Sequence, residues 1–178
     1  MARQLPTARW ALLALPLFPG CQPYVAVRPP AEQRTLFQPE PLGAFVRMNQ
    51  TDAAQYFLSG VYGLESDAWR WAAGQAVLRF HLKNTDGLKF TMRFAVPREV
   101  TSHSGPVRLR IAINGKPWQE LGYDKDGIYE IEKPAPSRLL KPEADNTVTI
   151  EVDKPVPPDG RRPELGFILV YAGFQPAS

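Results

Sequence analysis

Apolar and polar positions alternate with a period of two through much of the chain beyond residue 50. In VRLRIAIN, Val107, Leu109, Ile111 and Ile113 alternate with Arg108, Arg110, Ala112 and Asn114, the pattern of a strand with one buried and one wet face. NTVTIEVD repeats it: Val148, Ile150 and Val152 oppose Thr147, Thr149, Glu151 and Asp153, and a one-residue slip would expose all three apolar side chains. AVLRFHL sets Leu78, Phe80 and Leu82 against Val77, Arg79 and His81. LKFTMRFAV is predicted to bury Leu88, Phe90, Met92, Phe94 and Val96 and to expose Lys89, Thr91, Arg93 and Ala95. The almost unbroken apolar run GFILVYAGF suits a strand covered on both faces.

Turn residues punctuate these runs. Asp86-Gly87 and Asp126-Gly127 supply positive φ at little cost, and Asn114-Gly115 predicts a tight hairpin returning through PWQELGY. GIYEIEK follows as a further strand, Ser102 to Pro106 reads as a loop, and Leu139-Leu140 falls in a short turn between Pro134 and Pro142. Eight or nine strands and no helix of note predict an all-β antiparallel sandwich over residues 51–178. A body of this size buries roughly two-thirds of its unfolded surface, so it needs no disulfide or metal to hold it.

The residues ahead of it read differently. Pro23, Pro29, Pro30, Pro39 and Pro41 prevent a continuous helix or central strand, so residues 21–50 are expected to form a tether, with room for a short edge strand over Leu42 to Met48. Residues 1–20 carry Arg3 and Arg9, no acid, and an apolar run from Trp10 to Phe18 before Gly20 and Cys21, the layout of an export signal. The run is well short of the ~20 residues that span a bilayer as a helix. Cys21 is the single cysteine, which excludes a disulfide within one molecule. Of 21 basic residues, Arg3 and Arg9 lie in the signal, leaving 19 against 18 acidic ones and no concentrated basic face for nucleic acid. Arg108 with Arg110, and Arg161 with Arg162, read as solvated strand and loop positions.

Three resemblances add to this. Leu17-Phe18-Pro19-Gly20-Cys21 resembles the lipobox of bacterial lipoproteins, which implies acylation at Cys21 and anchoring in the membrane by an N-terminal lipid; Gln22 after it implies outer-membrane sorting. A soluble periplasmic or secreted protein is the alternative. Ile111 and Ile113, the Asn114-Gly115-Lys116 turn, Leu139-Leu140-Lys141-Pro142 and Asn146-Thr147-Val148-Thr149-Ile150 resemble the galactose-binding-like jelly roll, a fold of carbohydrate-binding modules. Gly60-Val61-Tyr62-Gly63-Leu64-Glu65, Trp69-Arg70-Trp71 and Pro163-Glu164-Leu165-Gly166-Phe167 are similar to an uncharacterised sandwich domain of bacterial envelope proteins, which implies an envelope-glycan setting and no specific activity.

In a strand, Trp69 and Trp71 point to one side and Arg70 to the other. Two readings stay open. The indoles form a platform for a pyranose, with Tyr62, Arg70, Glu65 and Glu164 offering polar contacts and Trp118 and Tyr123 as further platform candidates. Alternatively they are packing residues, and Arg70 pairs with Glu65 or Glu164. A hydrolase or lyase would draw its carboxylates from Glu65, Asp67 and Glu164, although nothing in their spacing makes them converge. His81 and His103 lack cysteine partners for zinc, and Asp124-Lys125-Asp126-Gly127 lacks the remaining ligands of a calcium loop, so no metal or cofactor is expected. The expectation is a non-enzymatic, lipid-anchored protein of the cell envelope that binds envelope polysaccharide or supports a glycan-assembly complex; the alternatives are a structural lipoprotein that binds an envelope protein, and a polysaccharide hydrolase or lyase.

Overall fold

A computed structural model describes residues 42–177; the expected signal segment, Cys21 and most of the tether lie outside the described residues. The elements are β1 (Phe45–Arg47), a 3₁₀ turn at Ala53–Tyr56, β2 (Phe57–Glu65), β3 (Trp69–Leu82), β4 (Leu88–Val96), α1 (Arg98–Ser104), β5 (Val107–Ile113), β6 (Lys116–Tyr123), β7 (Gly127–Pro134), a 3₁₀ turn at Ser137–Leu139, β8 (Ala144–Val152) and β9 (Phe167–Pro176). Every strand pairing is antiparallel, in the order β6-β5-β8-β3-β9-β4-β7, with β2 on β3 and β1 on β9.

The 14-residue strand β3 makes this one sheet with two limbs. Its second half, Gln75 to Leu82, pairs with β8, while Arg70, Trp71 and Ala72 pair with β9. The limbs then face one another. Phe80 of β3 meets Phe174 of β9 edge-on at 5.7 Å, Phe90 of β4 meets Trp118 of β6 at 5.9 Å, and Phe94 of β4 meets Tyr123 of β6 at 5.3 Å. The apolar positions of the alternating runs, including Leu78, Phe80, Phe90, Met92, Leu109, Ile111, Val148 and Ile150, fill the space between them. The chain is thus the expected antiparallel sandwich, curled from a single sheet.

Between the two halves of β3 lies a fork at Ala73–Gly74, where β8 has ended and β9 has not begun. Two residues of the β8–β9 connection seal it. Gly166 donates its amide to the Ala72 carbonyl at 2.8 Å, and the Glu164 carboxylate accepts the Gly74 amide at 2.7 Å. The approach is close enough to require glycine on both sides. A Cβ on Gly166 would lie 2.3 Å from the Ala73 carbonyl oxygen, and one on Gly74 would lie 2.7 Å from Pro155 Cγ.

The β5–β6 hairpin forms as its turn residues dictate, with Asn114 at φ 51° and Gly115 at φ 75°. Asn114 also reaches beyond the turn: Nδ2 donates to the Leu139 carbonyl and to Asn146 Oδ1, and Oδ1 accepts the Thr147 amide. Asn146, fully buried, donates to the Lys141 and Ala144 carbonyls and accepts the Lys141 amide. This satisfied polar cluster fixes the Leu139–Asn146 connection against the hairpin, as a buried amide requires.

Four expectations need correction. The folded body starts ahead of Thr51: β1 pairs with β9, and Val46 and Met48 are fully buried. The expected loop around Ser102 is largely α1, seven residues long, whose Val100 anchors in the core. A 14-residue β3 replaces the shorter AVLRFHL strand, because the β2–β3 hairpin extends it backwards to Trp69. Thr91, expected on the wet face, is 2% exposed. It lies opposite Glu132 and Gly173, between the Lys89–Glu132 ion pair and the hydrogen bond from Tyr171 to Glu130, so its longer neighbours screen the short side chain.

Two outcomes test this architecture. Gly166→Ala is expected to lower unfolding stability by about 1–3 kcal/mol through overpacking at the fork, measured by urea denaturation, whereas Gly63→Ala, with nothing near its would-be Cβ, changes it little. Burial, then the hydrogen bond donated to Glu130, pushes the Tyr171 phenol up to about 12. A raised folded pKa favours the protonated phenol, so its contribution is intact below the ordinary value near ~10 and is lost as pH rises through about 12. Phenolate absorbance should show a late-ionising tyrosine that Tyr171→Phe removes.

Candidate functional site

On β3 the inward positions are Ala72, Ala76, Leu78, Phe80 and Leu82, all buried, so Trp69 and Trp71 fall on the outward face. Both are half-buried. Their rings meet edge to face, 6.1 Å apart at 80°. Ser66 and Asp67, both at φ 50°, turn β2 back onto β3 and bring Glu65 opposite Trp69. Tyr62 arrives on the same face from β2 and donates its hydroxyl to the Glu164 carbonyl at 2.9 Å. Burial, then the Glu164 charge, raises the Tyr62 phenol above its ordinary value.

The third wall comes from the β8–β9 connection. Tyr62, Glu65, Trp71, Arg162, Pro163 and Leu165 enclose a cavity of about 170 Å³. The connection is held in shape at both ends of this segment. Leu165 bridges to Val156, and Asp159 accepts the amides of Arg161 and Arg162 at 3.0 and 2.8 Å and the Arg162 guanidinium at 3.0 Å. Those amide donors, with the Arg162 side chain behind them, hold the Asp159 carboxyl below the usual carboxylate range. Arg162 therefore stands at the cavity rim with its orientation set.

The structure brings together some of the residues nominated from sequence and separates others. Tyr62, Glu65 and Trp71 line one cavity, and Trp69 abuts it through Trp71. Arg70 faces the other way: Nε donates to the Met48 carbonyl at 3.0 Å, Nη1 donates to the Tyr62 carbonyl at 3.1 Å, and the guanidinium lies 5.2 Å from the Phe57 ring centre. It makes the expected pair with neither Glu65 nor Glu164, because main-chain carbonyls and an aromatic face take its donors first. Glu164 contributes its carboxylate to the fork. Trp118 and Tyr123 lie across the sheet on β6, where they close the sandwich against Phe90 and Phe94. Burial, then the neighbouring Tyr129, raises the Tyr123 phenol. Asp67 sits exposed in the turn, outside the cavity lining.

Arg162, Pro163 and Leu165 were not nominated from the sequence as part of this surface. Arg162 reads there as a solvated loop charge, and only the pairing of Leu165 with Val156 folds the segment back over β3.

Comparison with known proteins places no family on the chain: no family profile and no curated protein sequence matches it. Several solved structures are similar in fold. The chain superposes on a family GH115 4-O-methyl-α-glucuronidase with specificity for decorated arabinogalactans at a TM-score of 0.48 and 14% identity, over 77% of this chain and 18% of that one. It superposes on a family 35 carbohydrate-binding module from an environmental isolate at 0.42 and 11%, over 68% of this chain and 91% of that one. A family 35 module from Clostridium thermocellum gives 0.35 and 10%, over 76% and 91%.

The fork carboxylate generates a test. Glu164→Gln keeps an oxygen acceptor for the Gly74 amide and should preserve most of the stability. Glu164→Ala leaves that amide without its acceptor and should cost about 1–3 kcal/mol in denaturant unfolding, with faster hydrogen exchange at Gly74.

Proposed function

We propose that this chain is an exported, lipid-anchored, non-enzymatic sandwich that binds envelope carbohydrate on the outward face of β3. The observation that carries the reading is the pair of partly exposed indoles set at 80° to one another, one of them walling a cavity with polar groups at its rim. Indole faces take the C–H surface of a pyranose, while a few fixed polar groups select its hydroxyls. Here Glu65 offers an exposed acceptor and Arg162 a donor group oriented by Asp159. At about 170 Å³ the cavity is smaller than the roughly 300–1,000 Å³ typical of drug-sized pockets, a size suited to one ring of a longer glycan that continues over Trp69.

The carboxylate arrangement supports binding without turnover. A glycosidase sets two carboxyl groups across the scissile bond. Among the described residues lining this cavity, Glu65 is the one carboxylate, and the Glu164 carboxylate beside it is engaged by the Gly74 amide. Export and acylation at Cys21 rest on the Arg3, Arg9, Trp10 to Phe18 and Gly20-Cys21 layout and its lipobox resemblance. A second reading, docking of an envelope protein along β2, is favoured by Leu58 and Leu64, which are 51% and 38% exposed on a strand that, among the described residues, pairs with β3 alone.

Affinity electrophoresis through gels containing soluble β-glucan, xylan, galactan, mannan or a uronate polymer tests the reading. Retardation in at least one gel is expected, lost in Trp71→Ala and weakened in Trp69→Ala, with thermal unfolding unchanged within a few degrees. Cys21→Ala should move the expressed protein from the detergent phase to the aqueous phase. Uniform mobility in every gel would overturn carbohydrate binding and leave docking along β2. Glycan turnover that Glu65→Gln abolishes would overturn the non-enzymatic assignment.

A further inference from the structure

Away from the β3 face, β5 and β6 change register between Ile111 and Ala112: Gln119 pairs with Ile111 and Pro117 with Ala112, so Trp118 is the extra residue of a bulge. Bulges re-aim side chains. The bulge sets the Trp118 ring at 87° to Phe90 and leaves it partly exposed at a cavity of about 320 Å³. Pro117, Gln119, Glu120, Arg110 and Glu151 complete its lining with Ile111 beneath. The charges there are already paired. Arg110 contacts Glu151 at 3.0 Å and Glu120 at 3.9 Å, and Arg108 contacts the other oxygen of Glu120 at 3.5 Å.

We infer that this bulge forms a second saccharide subsite, specific for neutral pyranosides, which makes the sandwich bivalent. The inference deepens the carbohydrate-binding reading and rests on it. A ring anchored by Phe90 loses little freedom when a ligand stacks on it, which is the condition under which a single aromatic platform is effective. Two arginines and two glutamates pair with equal and opposite formal charge, so the site presents donors and acceptors with no net charge to recruit an ion. Polyhydroxylated neutral rings match that chemistry, and Gln119 adds a donor and an acceptor of its own. In the sheet β8 and the body of β5 separate this subsite from the β3 face, so one molecule can engage two sugar units at once.

Fluorine NMR of the fluorotryptophan-labelled chain tests it, each resonance being assigned by single Trp→Phe substitution. Titration with cello-, xylo-, manno- and chitotetraose, with tetragalacturonate as the anionic comparison, is expected to shift the Trp118 resonance with at least one neutral tetrasaccharide. The shift should be equal in the wild-type chain and in Trp71→Ala. Glu151→Gln and Gln119→Ala should each weaken it about three- to tenfold and leave the Trp71 response unchanged. A silent Trp118 beside a responding Trp71 overturns the second subsite alone. A Trp118 shift that disappears in Trp71→Ala reports a single site and overturns bivalency, and a response to tetragalacturonate alone overturns the neutral specificity. Silence at every tryptophan overturns both this inference and the carbohydrate-binding reading beneath it.

Discussion

A strand can pair with only one neighbour along each edge at any residue, and β3 must serve two. Where β8 ends and β9 has yet to start, the main chain at Gly74 points a donor into a place with no strand beside it, and an unpaired amide there would cost about 1–3 kcal/mol. The Glu164 carboxylate supplies the acceptor, and the Gly166 amide uses the Ala72 carbonyl next to it. This joint lets one sheet present two limbs to each other.

The candidate site follows from the same joint. Because Glu164 is drawn to Gly74, the residues on either side of it, Pro163 and Leu165, are laid over the outward face of β3 beside Trp71, and Asp159 then orients Arg162 at the rim. A residue that reads as a ligand contact acts instead as the anchor of the loop that builds the cavity. Arg70 acts similarly on the opposite face, tying Met48 and Tyr62 together through their carbonyls. The two strongest polar side chains of the site region are thus committed to holding it, which leaves recognition to the indoles, Glu65 and Arg162.

The far edge of the sandwich is closed by aromatics with a double exposure. Trp118 and Tyr123 reach from β6 across to Phe90 and Phe94 of the other limb, so they belong to the core on one side and to the surface on the other. Half-burial of this kind is what separates the two readings of the tryptophans: each ring is rigid because it packs and available because the packing is incomplete.

Residue order alone determined the strands of the sandwich, because inward positions recur every second residue and a slip would invert them; it also determined the Asn114-Gly115 hairpin, because few other residues take two left-handed conformations in succession. It placed the two indoles of β3 on one side and Arg70 on the other by the same alternation. What it left open was decided by contacts distant in sequence. The β2–β3 hairpin turns on Ser66 and Asp67, which carry no glycine signal, so the length of β3 emerged only from pairing with β2 and β9. The use of Glu164, the burial of Thr91, the entry of Val46 and Met48 into the core and the arrival of Arg162 and Pro163 beside Trp71 each depend on which strand lies alongside. Periodicity specifies which side of a strand a residue faces; only the folded sheet specifies what stands opposite it.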